Sequence, residues 1–136
     1  MAFEKPLLIN TFTAASDMSA ASMQFCFVEM DSSGNCHLAN AATDLPLGVL
    51  QNLPSRGQLA EVLVLGVSKV RAGGTDLSVG ALIGVDSTSR AAALTVGSGA
   101  STASYVAGRV IQIDASDNDG ALVTANINCL TLNRAV

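Results

Sequence analysis

The chain is 136 residues long, 49% hydrophobic and only 13% charged, with a formal net charge of −4 and a pI near 4.6. That length suits one domain with a small closed or two-layered core, and its seven cations (Lys5, Arg56, Lys69, Arg71, Arg90, Arg109, Arg134) are too scattered for the basic stripe that nucleic-acid binding needs. A charged share near half of the roughly 25% usual in soluble domains is a thin polar coat for a solitary chain, so much of the exterior is expected to meet other chains.

Residues 1–22, MAFEKPLLINTFTAASDMSAAS, hold an apolar patch (Phe3, Leu7, Leu8, Ile9, Phe12) followed by small polar residues with no period of 3.6. Glu4 and Lys5 precede the apolar run and no small-residue cleavage site follows a continuous apolar core, so this is not a signal peptide. A terminal segment of this kind is ordered only when something holds it down. Two readings stand: a first strand of the domain's own sheet, or an arm that lies on a neighbouring subunit. The division expected is an N-terminal arm over 1–22 and a single β domain over 23–136.

MQFCFVEM (23–30) has the aromatic and β-branched bias of a strand, DSSGN (31–35) is a turn, and CHLANA (36–41) is the returning strand. The stretch 45–71, LPLGVLQNLPSRGQLAEVLVLGVSKVR, organises the rest: one strand, a Pro- and Gly-containing reversal at 53–58, and a longer strand. From Leu59 to Val70 nearly every position is aliphatic and strict alternation is absent, so both faces of this strand are covered or it bends at Gly66. Two hairpins in sequence predict a meander.

A glycine-rich loop (72–80), a strand (81–86), a turn (87–90) and a short strand (91–96) come next, then a Gly/Ser/Ala-rich loop at 97–104. YVAGRVIQID (105–114) and ALVTANINCLTL (121–132) resume strand character. No window shows an amphipathic helix, and the uncharged stretch 91–108 is too rich in Gly, Ser and Thr to be a transmembrane helix. The result is about eight or nine short strands spaced by turns, an all-β antiparallel barrel or sandwich, β-tulip-like closure included.

Chemical constellations are sparse. Cys26, Cys36 and Cys129 lack CxxC spacing and read as buried, reduced thiols. Cys36 and His37 are neighbours in a strand, point to opposite faces, and make no nucleophile–base pair. DASDNDG (114–120) matches an EF-hand at Asp117, Asp119 and Gly120 but puts Ala115 and Asn126 where strong carboxylates are required; Asp119-Gly120 reads as a hairpin turn, with a weak surface cation site as the alternative. AGGTDLSVG has neither a following helix nor a lysine and is no phosphate loop. With one His and no credible nucleophile and base, neither catalysis nor a cofactor, metal or small-molecule substrate is expected.

The order of these β segments resembles the tailed-phage capsid cement, or head decoration, proteins over residues 23–132. The resemblance rests on the Gly48-Val49-Leu50-Gln51 strand end, the strand from Val62 to Gly73, the hairpin from Gly80 to Ala91, and the ending from Gly108 to Ile127. The chain departs from the family in its longer Ser/Ala/Gly-rich stretch (91–104) and in Ser-Thr-Ser at a hairpin tip that usually carries Gly. The resemblance implies a non-enzymatic virion protein, made in the host cytoplasm, that sits on the outer capsid surface as a homotrimer and ties together the major capsid protein. Phe3, Leu7, Leu8, Ile9 and Phe12 are then the expected contacts with the shell or the adjacent protomer, and deleting residues 1–13 is expected to leave a folded domain that no longer binds heads. A carbohydrate- or receptor-binding β module of a phage fibre is the alternative, weakened by the absence of Trp and the presence of one Tyr, since sugar sites favour aromatic platforms; a small-barrel enzyme is third.

Overall fold

A long aliphatic strand has to cover two faces and two edges, and the neighbours of residues 59–71 do both. The structure, a computed structural model, describes residues 2–74, 77–95, 104–114 and 119–134. Its strands are β1 (Lys5–Thr13), β2 (Phe27–Met30), β3 (Cys36–Leu38), β4 (Gly48–Leu50), β5 (Leu59–Arg71), β6 (Leu82–Val85), β7 (Ala91–Ala93), β8 (Tyr105–Val106), β9 (Gly108–Gln112), β10 (Leu122–Asn128) and β11 (Asn133–Arg134). A single turn of 3-10 helix, Ala21–Met23, is the one helical element among the described residues. Nine strands form one antiparallel sheet, ordered β3-β2-β4-β5-β10-β9-β6-β7 with β1 attached to β5, curled into a half-barrel; β8 and β11 make a small pair of their own. The all-β expectation holds.

Three strands pair with β5. β1 runs along Leu59–Val67, β4 meets Val62 and Leu63, and β10 takes Leu65–Arg71. Because β1 overlaps both of the others, it occupies one edge while β4 and β10 share the opposite edge in succession. Gly66 lies where all this changes over, at φ +130, and β1 is irregular opposite it, with register shifts between Pro6 and Leu8 and between Leu8 and Ile9. Residues 5–13 are thus a strand of the domain's own sheet. Truncation of 1–13 would uncover an edge of β5 and the residues that Leu8 and Phe12 pack against, so a deletion of that size removes part of the fold as well as any contact surface.

Side-chain direction explains the missing alternation. Phe27, Val49 and Leu63 enter a larger core cluster with Val70, Ile83, Val110 and Val123. Their chain neighbours Val28, Leu50 and Val62 enter a second cluster with Met18 and Val64 on the other side. At Phe27–Val28, Val49–Leu50 and Val62–Val64 successive residues are buried on both faces, which leaves no polar alternate within those stretches. Cys129 packs against both clusters.

Other expectations are corrected by the pairing. Both hairpins are present, but β4 joins the far edge of β2 instead of lying beside β3, so the simple meander is replaced by the order β3-β2-β4-β5. The returning strand ends at Leu38, short of residue 41, where Ala39 instead donates its N–H to Phe27 O. The strand expected over 105–114 breaks at buried Ala107, whose N–H goes to Ile83 O, giving β8 and β9. Gly120 has the positive φ of a turn (+75), yet β9 ends at Gln112 and β10 begins at Leu122, so the connection is longer than a two-residue hairpin. The cation-loop alternative falls on residues 115–118, and most of the loop expected at 97–104 on residues 97–103; both lie outside the described residues.

The Ser-Thr-Ser hairpin tip has a specific cost and a specific bond. Ser89 is buried with φ +69, a conformation suited to glycine, and its hydroxyl donates to Ala39 O while Phe27 N–H donates to Ser89 O at 2.8 Å. Ser89→Ala keeps the left-handed backbone strain and loses the hydroxyl bond, so denaturant unfolding is expected to show a loss of about 1 kcal/mol. Ser89→Gly loses the same bond but relieves the strain, worth about 1 kcal/mol, and is expected to unfold close to the wild type. Equal losses in the two variants would contradict this account.

Burial also controls the thiols. It raises the Cys26 and Cys36 thiols above their ordinary value and pushes that of Cys129 up to about 12. Cys36 and His37 do point apart: Cys36 is fully buried, whereas His37 Nε2 lies 3.3 Å from Glu29 Oε1 on the neighbouring strand. Iodoacetamide at pH 8 is expected to leave all three thiols unmodified in the folded chain and to label all three in urea. A pKa raised by folding stabilises fully below the unfolded value near 9 and loses that contribution as pH rises toward the folded value. Resistance to denaturant is accordingly expected to fall above pH 9.

Candidate docking surface

Antiparallel register places cross-strand partners on one face, and a single row of partners crosses five strands here. Lys5 pairs with Val67, Val67 with Asn126, Asn126 with Arg109, and Arg109 with Leu82. The adjacent row runs through Gly66, Ile127 and Gly108 and supplies only one side chain across three strands. Residues of the two rows, with Leu7, Leu65 and Val106, line a groove of about 540 Å³. Leu7, 78% exposed, projects from β1 at its edge, and Leu65 and Val106 add apolar wall.

The groove's charge is one-sided. Lys5 and Arg109 line it, none of its described lining residues is acidic, and neither cation makes an ion pair among the described residues. Three strand spacings of about 4.8 Å put the two backbone positions roughly 14 Å apart. Other cations are engaged in the fold. Lys69 Nζ lies 3.8 Å from Glu4 Oε1 and over the Phe25 ring, and the Arg71 guanidinium donates to the carbonyls of Gln24, Ala21 and Gly120.

The five apolar residues singled out from the sequence separate by face. Phe3, Leu7 and Ile9 are exposed, whereas Leu8 and Phe12 are half-buried against the second core cluster. Phe3 N–H donates to Thr124 Oγ1 at 3.0 Å, which ties the segment ahead of β1 across to β10. Among the described residues β1 pairs only with β5, so its other edge is open, and from Pro6 to Thr13 it carries no charge. Edge strands of solitary proteins are normally guarded by charge, proline, bulges or brevity; this one has Pro6 and an irregular register around Leu8, and no such guard from Ile9 to Thr13.

Sequence reasoning missed Arg109, Leu82 and Val106 as part of one surface, because register across β6, β9 and β10 brings them together. It also missed a second hollow of about 280 Å³ lined by Met30, Leu45, Leu47 and Leu132, with Glu29 at its margin. Met30 and Leu45 are 47% and 56% exposed. Burial first, and then the neighbouring Asp44 carboxylate, holds Glu29 above the usual carboxylate range, against the pull of His37.

No protein-family profile matches the chain, and no curated protein matches it. The fold is similar to that of a solved structure, the N base of the head fibre protein gp8.5 of bacteriophage phi29, with a TM-score of 0.61 and 20% identity over 93% of this chain and 98% of the other.

Proposed function

We propose that the chain is a structural virion protein that binds the outer surface of a phage head as a homotrimeric cement or decoration subunit and stabilises contacts between copies of the major capsid protein. The observation that carries this reading is β1: a nine-residue strand with an open edge, uncharged from Pro6 to Thr13 and with Leu7 and Ile9 exposed, on a chain with only 13% charged residues. An open edge accepts a strand from another chain, gaining backbone hydrogen bonds without side-chain specificity. Several such contacts made together by one oligomer reinforce one another through effective concentration, so each can be modest. The fold likeness to the base of a phage head fibre supports a place on the head, and the role is mechanical, with no catalytic step or cofactor in it.

The test is co-sedimentation with heads that lack the protein, together with the temperature at which decorated heads disrupt. Leu7→Asp changes a side chain that is 78% exposed, so the fold is retained. Losing the burial of one leucine, about 1.5–3 kcal/mol, is expected to weaken head binding by at least tenfold. Full decoration by the Leu7→Asp protein would reject β1 as the contact. A second reading, favoured by the description of the solved neighbour as a fibre base, is that the domain anchors a projecting fibre; decorated heads would then disrupt at the same temperature as bare ones. The sugar-binding alternative predicts signal on a glycan array.

A further inference from the structure

The groove across β1, β5, β10, β9 and β6 carries two cations that the fold does not use. Lys69, Arg71, Arg90 and Arg134 each have a partner within the chain: Glu4, backbone carbonyls, Asp119 and the Tyr105 ring respectively. Lys5 and Arg109 are exposed, line the groove and have no such partner among the described residues. They stand roughly 14 Å apart, three strand spacings. Between them the groove is lined by Leu65 and Val67 of β5 and by Asn126 of β10. Asn126 is exposed, and its carboxamide makes no hydrogen bond among the described residues.

We propose that the groove receives an extended segment of a different protein, in which two acidic residues four positions apart flank an apolar one, all three on the same side. The separation of the cations selects this pattern. A small anion, or an amphiphile with one charged head, reaches one cation and leaves the other bare. An extended chain rises about 3.3 Å per residue and returns its side chains to the same side at every second position. Positions i and i+4 are therefore about 13 Å apart and share a side with i+2. The central apolar side chain then rests on Leu65 and Val67, and the Asn126 carboxamide offers a donor and an acceptor to the segment's backbone. No two of the chain's own eleven acidic residues are four positions apart, so a strand of a second copy does not supply the pattern. The inference rests on the proposed function only for the source of the segment, which is then the major capsid protein.

The experiment titrates the isotope-labelled full chain with the capped peptide SESLSES and follows amide shifts by NMR, with circular dichroism to confirm the fold of each variant. Saturable shifts are expected at Lys5, Val67, Asn126 and Arg109. Lys5→Gln and Arg109→Gln are each expected to weaken binding about two- to fivefold, as for exposed ion pairs, and the double variant by about the product. The peptide SQSLSQS, which lacks the carboxylates, is expected to bind the wild type no better than SESLSES binds the double variant. SEESLSS, with the same composition and adjacent glutamates, is expected to fall below SESLSES. Salt at about 0.5 M is expected to erase these differences. No saturable shift, shifts away from the groove, equal affinity for SESLSES and SEESLSS, or tighter binding of laurate would each overturn the assignment. Co-sedimentation with heads is read separately. A double variant that loses the peptide yet decorates heads fully overturns the major capsid protein as the source. A wild type that takes the peptide but never binds heads rejects the proposed function and keeps the groove.

Discussion

Gly66→Ala is expected to destabilise the chain at least about twice as much as Gly57→Ala, measured from urea unfolding midpoints. Both glycines have positive φ, +130 and +85, so both substitutions carry the backbone strain of a side chain in a glycine conformation, on the order of 1–3 kcal/mol. They differ in what the added methyl meets. At Gly57 nothing lies within 4 Å, whereas at Gly66 the new carbon would stand 2.6 Å from Leu7 N, 2.8 Å from Lys5 O and 3.0 Å from Pro6 Cα. Those are backbone atoms of β1, which cannot swing aside like the end of a side chain. β1 has to lift from β5, and hydrogen exchange is expected to show the amides of Lys5–Thr13 losing protection ahead of the rest of the sheet. Equal losses for the two variants, with β1 still protected, would mean that β1 is not held against β5 at this point.

Phe27→Ala is expected to cost about 3–5 kcal/mol, the range for truncating a buried aromatic, and to lower the thermal midpoint by roughly 10–20 °C. Phe27 is among the largest fully buried side chains and sits in the larger core cluster. Its backbone is bound on both sides, its N–H to Ser89 O at 2.8 Å and its carbonyl from Ala39 N–H at 3.1 Å. A cavity there loosens the contact between β2 and the turn that joins β6 to β7, which is where the curl of the sheet brings its distant strands together. Against a total stability of about 5–15 kcal/mol for a domain, this single truncation removes a large part. Leu59→Ala, at a position 60% exposed, is expected to stay within about 0.5 kcal/mol of the wild type; similar losses from both would contradict this assignment of the core.

What the sequence made legible was local. The nearly continuous aliphatic run from Leu59 to Val70 with one glycine in it announced a strand either covered on both faces or bent at Gly66, and the structure shows the first, since Leu63 and Val62 enter different clusters. Cys36 and His37 could be assigned opposite faces from their adjacency alone. What remained hidden was partnership. Nothing in residues 36–50 states that β4 will choose the far edge of β2, since either edge offers the same backbone groups. The segment 1–22 was equally compatible with an arm and a strand because its apolar residues split between two faces, Leu8 and Phe12 inward, Leu7 and Ile9 outward. The groove was illegible for the same reason: Lys5, Val67, Asn126, Arg109 and Leu82 are far apart in the chain and become neighbours only through register.

The sharing of one β5 edge by β4 and β10 bears on how the chain is made. As the ribosome delivers it, β5 emerges with β1 and β4 already available, so its first half can be sheathed at once. The stretch Leu65–Arg71 has to wait for Leu122–Asn128 to be translated, and the Phe3 bond to Thr124 waits with it. The half-barrel therefore closes only once β10 has been made, and until then the stretch Leu65–Arg71 stands with one edge bare in the nascent polypeptide.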